Sequence, residues 1–73
     1  MQIEQTSPLR EARTRQGMTQ QQLAWASQVN VLTISRAELG KQQLKPENAR
    51  RIAAILEVPT EVLLANAKNT ADA

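Results

Sequence analysis

The sequence predicts an all-α fold, a compact bundle of five short helices, from three observations. Residues that cap helices recur ahead of short amphipathic stretches, and the two glycines stand where such stretches end. No stretch alternates apolar and polar residues as a half-buried strand does. Trp25 is the one aromatic residue and eleven residues are Ala, which suits a thin core between closely packed helices.

The first helix is predicted to begin at Pro8 and to run to Gln16. Ser7 supplies the N-cap, and proline is favoured in the first turn of a helix. Gly17 follows and can adopt the left-handed conformation that ends helices.

The second helix begins after Thr19, which forms a capping box with Gln22 three residues later. Met18 and Leu23 flank this start at the two positions where a hydrophobic staple forms. The helix is expected to end near residue 27 or 28.

The third helix begins at about Val31, with Asn30 as its N-cap, and ends near residue 38 or 39 before Gly40. Only three or four residues then remain to link it to the second helix. Such a short link forces a tight angle between two helices, as a helix-turn-helix requires.

A fourth helix starts at Pro46, with Lys45 before it as a poor cap because its side chain offers no acceptor. Its apolar residues recur at the spacing of an amphipathic helix and are Ala49, Ile52, Ala53 and Leu56. A loop over residues 41–45 precedes it, and a last short helix is expected over about 60–66.

These elements divide the chain into one domain with two short ends. Residues 1–6 are predicted to be a mobile N-terminal segment, residues 7–66 the folded domain, and residues 67–73 a disordered tail, because the ends have almost no apolar content.

The composition excludes several classes of function. The chain has no Cys and no His, so it lacks disulfides, thiolate metal sites and the commonest general base and metal ligand. We therefore expect no enzyme activity and no cofactor. No apolar run is long enough for a membrane span and the first residues do not resemble a signal peptide, so we expect a cytoplasmic protein without membrane contact.

Charge is distributed unevenly along the chain, although the net charge is only +2. Residues 13–51 contain seven basic and two acidic residues, whereas the flanks together are negative. A basic middle between acidic ends favours binding of a polyanion such as nucleic acid. The alternative is a solvated surface on which the charges happen to sort in this way.

The third helix has two different faces at 100° per residue. Its inward side is predicted to consist of Thr33, Ile34 and Ala37, and its outward side of Val31, Leu32, Ser35 and Arg36. Exposed aliphatic residues beside an arginine could contact thymine methyl groups and a guanine in the major groove of DNA. They could also bind a protein groove, or Val31 and Leu32 could cover a neighbouring helix.

Three motifs carry a family resemblance that extends from Leu9 to Leu64. The motifs TQQQLA at 19–24, VN at 29–30 and TISRAELGK at 33–41 resemble the family patterns TQEELA, VS and TISRIExGK at matching spacing. The chain thus resembles the Cro and repressor-like helix-turn-helix proteins of bacteria and their phages, the Xre family. The resemblance implies a five-helix domain of the phage-repressor type that regulates transcription by placing its third helix, about residues 30–38, in the major groove of double-stranded DNA.

The resemblance also implies roles for individual residues. Base reading falls to Val31, Leu32 and Arg36. Contact with the DNA backbone falls to Gln20, Asn30, Thr33, Ser35, Lys41, Gln42 and Gln43. A structural ion pair between the first helix and the end of the third is implied for Arg13 and Glu38.

The chain departs from the family pattern at several exposed positions. Positions 31 and 32 often carry polar donors in the family, and Leu39 stands where Asn or Arg commonly contacts the backbone. Trp25 replaces a usual polar residue, and either covers the first helix or contacts another subunit. An alternative function is therefore a protein-interaction module, anti-repressor or antitoxin-like, that binds through Trp25, Val31, Leu32 and Leu39.

A homodimer on a palindromic operator is expected, because one such domain offers few DNA contacts and half-sites lie about 34 Å apart. The dimer contact would come from Trp25 or from the last helix with Val62 and Leu64. A repressor is favoured over an activator because the sequence shows no segment to recruit polymerase. A bacterial or phage protein associated with the nucleoid is expected.

Overall fold

The computed structural model describes residues 7–64, and all the secondary structure in that range is helical. Its helices are α1 (Pro8–Arg15), α2 (Gln20–Ser27), α3 (Val31–Glu38) and α4 (Pro46–Leu56). A fifth helix, α5, begins at Thr60 and continues through Leu64, where the described residues end. The predicted all-α fold is confirmed, while the predicted mobile segment 1–6, the tail 67–73 and the end of the last helix at 65–66 lie outside the described residues.

The helices begin where the sequence predicts, because side chains satisfy their first backbone N–H groups. Ser7 accepts a hydrogen bond from the N–H of Arg10 at 3.1 Å. Thr19 and Gln22 make both bonds of the capping box, at 3.0 and 2.9 Å. The N-cap of α4, Lys45, makes no side-chain capping bond, as its chemistry predicts.

Four residues at helix ends have a left-handed backbone, and the sequence predicts two of them. Gly17 and Gly40 are the predicted ones, with φ of 70° and 76°. Gln28 and Glu57 also have positive φ, 62° and 59°, although neither is a glycine. A left-handed residue with a side chain is strained, so α2 and α4 end at a conformational cost that the surrounding packing offsets.

The core lies between α2 and its neighbours. Helix α2 packs against both α3 and α4, and α1 packs against α3. The buried apolar residues come from every helix and from the turns, and are Leu9, Ala12, Leu23, Val29, Ile34, Ala37, Leu44, Ala49, Ile52, Ala53, Leu56 and Leu63. They include the whole predicted stripe of α4, which explains why this helix forms without a capping side chain.

The turn between α2 and α3 contains three residues, within the predicted length. Val29 is buried in it, and its N–H donates to the carbonyl of Ala24 at 3.2 Å. Ser27, the last residue of α2, is also buried, and its hydroxyl donates to the carbonyl of Leu23 at 2.7 Å. A small residue that satisfies its own hydroxyl lets the chain turn closely against the core.

Candidate nucleic-acid interface

Helix α3 has one buried and one exposed face. Ile34, Ala37 and Glu38 are buried, whereas Leu32 and Arg36 are exposed. Leu32 and Arg36 are one turn apart, so they lie on the same side of the helix.

The residues at the edges of these two faces are half-buried, which differs from the predicted division. Thr33 was expected inward, and Val31 and Ser35 outward. Each of these residues therefore has part of its surface covered and part in solvent. The strongly exposed part of α3 is therefore narrower than the sequence predicts.

Arg13 and Glu38 are joined by two hydrogen bonds between α1 and the last residue of α3. Nε of Arg13 donates to Oε2 of Glu38 at 2.6 Å, and Nη2 donates to Oε1 at 3.0 Å. The side chains are only 12% and 4% exposed. This two-bond geometry matches the planar guanidinium to the planar carboxylate, so the buried charges are well compensated.

Two further hydrogen bonds extend this pair into a cluster, which we call the Glu38 cluster and define as Arg13, Glu38 and Gln20. Nη1 of Arg13 donates to the carbonyl of Met18 at 2.8 Å, in the turn between α1 and α2. Nε2 of Gln20, the first residue of α2, donates to Oε1 of Glu38 at 2.9 Å. The cluster therefore ties α1, α2 and α3 together beside the start of α2.

The sequence did not predict the bond between Gln20 and Glu38. Eighteen residues separate the two, and no helical spacing links residues on different helices. Gln20 is half-buried rather than fully exposed. Its amide nitrogen carries two hydrogens, so the bond to Glu38 leaves one donor for another acceptor.

Four of the predicted backbone-contacting residues lie at the two ends of α3, and two more, Thr33 and Ser35, lie within it. Asn30 is exposed at the start, and its Oδ1 accepts from the N–H of Leu32 at 2.7 Å. Lys41, Gln42 and Gln43 are exposed at the other end, after Gly40. The N–H of Lys41 donates to the carbonyl of Arg36 at 2.9 Å, which fixes the start of that loop against the helix.

The exposed charge of the stretch that contains α2 and α3 depends on the burial of one carboxylate. Glu38 is the single acidic residue between positions 12 and 46 of the sequence, and it is buried against Arg13. The exposed charged residues of this stretch are therefore all basic, and they are Arg15, Arg36, Lys41 and Lys45. This arrangement attracts polyanions.

Three large apolar side chains are exposed on or near the helix-turn-helix. Trp25 on α2 is 88% exposed, Leu32 is 56% exposed and Leu39 is 65% exposed. With so little of its surface covered, Trp25 does not cover α1, so of the two alternatives for this residue only the contact with another subunit remains. Buried positions 23 and 27 direct the opposite face of α2 inward, which leaves Trp25 in solvent.

A second hydrogen bond that the sequence did not predict links α1 to α4. Nε2 of Gln16 donates to the carbonyl of Leu56 at 3.1 Å, which joins the end of α1 to the end of α4. The two residues are 40 positions apart in the sequence, so no local sequence pattern predicts the bond. It satisfies one of the carbonyl groups that a helix end leaves without a partner.

Residues 7–64 lack two further kinds of feature. No helix in this range is both long and apolar enough to cross a membrane. The same residues bring together no group of three or more acidic, His or Cys side chains that could hold a metal ion.

Comparison with known proteins gives two similarities. Residues 9–63 match the model of the helix-turn-helix family HTH_3. The chain is also 43% identical over 60 residues to a protein of Bacillus subtilis (strain 168) named "Uncharacterized HTH-type transcriptional regulator RghRB". The alignment covers 81% of this chain and 43% of that protein, so the chain spans less than half of its relative's length. No solved structure matches the chain.

Proposed function

The chain belongs to the helix-turn-helix family, of the Xre and Cro type, and on that basis we propose that it is a sequence-specific regulator of transcription that reads the major groove of double-stranded DNA with α3. The observation that carries the proposal is the exposed face of α3. It presents Arg36 and Leu32, while Glu38, the single acidic residue from position 12 to position 46, is buried against Arg13.

Arg36 is the main direct reader in this proposal. A guanidinium can donate two parallel hydrogen bonds to O6 and N7 of a guanine, the commonest specific contact in the major groove. Within the described residues its guanidinium has no ion-pair partner, so it is available for DNA. Val31 and Leu32 add apolar contact with base edges.

The Glu38 cluster would hold the reading helix at a fixed angle to the scaffold. Readout by hydrogen bonds needs side chains placed to within a fraction of an ångström, and a helix of eight residues gains little rigidity from its own backbone bonds. Arg13 acts here as a brace, and we assign it no DNA contact.

Contacts with phosphate would set the position of α3 in the groove. At the start of α2, the second amide hydrogen of Gln20 can donate to a phosphate while the first remains bonded to Glu38. At the other end, Lys41 brings a positive charge and Gln42 and Gln43 bring neutral donors. The remaining proposed backbone contacts come from Asn30, Thr33 and Ser35.

We further propose that the regulator is a repressor and acts as a homodimer. Repression needs only that the bound protein blocks access to a promoter, which operator binding itself achieves. Two copies on a palindromic site double the number of base contacts. Sedimentation tests the dimer: two chains per palindromic duplex support it, and one chain both free and on the duplex contradicts it. Such a regulator works in the bacterial cytoplasm, where the nucleoid is.

A second candidate function is a protein-interaction module on the same scaffold. The exposure of Trp25 and Leu39 favours it, because both side chains could bury apolar area against a partner, and aromatic residues are enriched at protein interfaces. The partner would be a protein with an apolar groove, as in an anti-repressor or antitoxin-like complex.

Salt dependence separates the two functions. We would measure binding of the full chain to a labelled mixed-sequence duplex by fluorescence anisotropy between about 50 and 200 mM salt. DNA binding predicts that the logarithm of the association constant falls linearly with the logarithm of the salt concentration, with a slope of about −0.9 for each phosphate contact. Trp25→Ala is the control and should leave this slope unchanged. Absence of binding at the lowest salt contradicts the proposed function and favours the protein partner.

A further inference from the structure

We infer that Leu32 reads the C5-methyl group of a pyrimidine, so that the protein distinguishes thymine from uracil and 5-methylcytosine from cytosine at one position of its site. The inference rests on the proposed function, since it assumes that α3 enters the major groove. It names a second chemical group that α3 would recognise, in addition to the guanine that Arg36 contacts.

The first turn of α3 offers the bases an apolar surface. Val31 and Leu32 are its first two residues, and neither side chain can make a hydrogen bond. The backbone N–H of Leu32 is already bonded to Asn30 at 2.7 Å. Leu32 is 56% exposed, so most of its side chain is available for contact.

The major groove contains one apolar group that such a side chain can recognise. Thymine carries a methyl group on C5, and unmodified cytosine has only a hydrogen there. 5-Methylcytosine carries the same methyl group at the same atom. A leucine that packs on this group therefore gains contact area from either base and gains none from uracil or cytosine.

The neighbouring charges favour DNA as the occupant of this surface. Arg36 lies four residues beyond Leu32, about 6 Å further along the helix axis and on the same face. Base pairs are spaced by about 3.4 Å, so the methyl group and the guanine lie within about two base-pair steps. The exposed charges of Arg36 and Lys41 suit a polyanion that carries both a methyl group and a guanine edge.

Leu39 provides a matched comparison just after the same helix. It is 65% exposed and is the C-cap residue of α3, seven residues after Leu32. Recognition helices contact bases mainly through their N-terminal residues, so we expect Leu39 to make no methyl contact. Removal of either side chain deletes the same apolar atoms from an exposed position.

The experiment begins with selection of a site from a random duplex library by the full chain. Each thymine of the selected half-site is then replaced by deoxyuridine, and each cytosine by 5-methylcytosine, one position at a time. Affinity is measured by anisotropy for the unmodified protein, Leu32→Ala and Leu39→Ala. Each pair of duplexes differs by one methyl group.

At one pyrimidine position, we expect the protein to bind the duplex with the methyl group roughly three- to fivefold more tightly than the duplex without it. This position should lie within two base-pair steps of the guanine that Arg36 reads, which the Arg36→Ala variant identifies. Leu32→Ala should abolish this difference, and Leu39→Ala should preserve it. The inference is wrong if no pyrimidine responds, or if the response survives in Leu32→Ala. A selection that enriches no sequence contradicts the proposed function itself.

Discussion

The two faces of α3 differ in what holds them. On the inner face, Ile34 and Ala37 are buried in the core and Glu38 is bonded to Arg13 and Gln20. On the outer face, Leu32 and Arg36 are exposed, and Arg36 has no ion-pair partner among residues 7–64. The same eight residues thus combine a side fixed by the fold with a side left free for a ligand.

This difference shows how a small domain can present a precise surface. The outer side chains gain no stability from their exposure, so a change there should alter binding and leave folding intact. The inner side chains determine where the outer ones point, so a change there should alter folding first.

The largest expected effect comes from the inner face. Glu38→Ala leaves the guanidinium of Arg13 without its carboxylate in a site where that side chain is 12% exposed. Breaking a buried ion pair on one side costs about 3–5 kcal/mol in the free energy of unfolding. Urea denaturation followed by circular dichroism measures it. Glu47→Ala, which removes an exposed carboxylate on α4, should cost less than about 1 kcal/mol. Equal losses in the two variants would contradict a structural role for the Glu38 cluster.

A smaller effect, on binding alone, is expected from the outer face. Arg36→Ala should weaken binding to the selected site by about 1–3 kcal/mol and relax specificity at one base pair, because a bidentate contact with guanine is lost. Affinities for the four possible bases at that position measure it, with denaturation as a check that stability is unchanged. Arg51→Ala, an exposed arginine on α4, should leave the base preference intact. A uniform loss for all four bases would assign Arg36 to phosphate instead.

The smallest effect is expected at the loop after α3. Lys41→Ala should weaken all sequences alike and make the slope of affinity against salt about one unit shallower, because one phosphate contact by a cation is removed. Gln42→Ala removes an uncharged residue from the same loop and should leave the slope unchanged. The assignment of Lys41 fails if its removal changes base preference but not the slope.

Local features of the fold could be predicted from the sequence. The caps at Ser7, Thr19 and Asn30 and the glycines at 17 and 40 act within a few residues, and their hydrogen bonds form as the sequence predicts. The apolar stripe of α4 also follows from a spacing that can be read along one helix.

Features that depend on how helices meet could not be predicted in this way. The bonds from Gln20 to Glu38 and from Gln16 to Leu56 join residues 18 and 40 positions apart. Gln28 and Glu57 adopt positive φ, against the usual preference of residues that carry a side chain. The exposure of Trp25 cannot be predicted either, because helical periodicity places a residue on a face without showing what lies opposite that face.

The most direct test of DNA binding by the outer face of α3 is a titration of the isotope-labelled protein with a mixed-sequence duplex at low salt. The backbone amide chemical shifts are recorded at each step. We predict shifts at Gln20, at residues 30–36 and in the loop from Lys41, with little change in residues 50–56 of α4. Such a pattern would place DNA on the outer face of α3. Unchanged shifts throughout α3, or changes centred on α4, would contradict the claim that this face binds DNA.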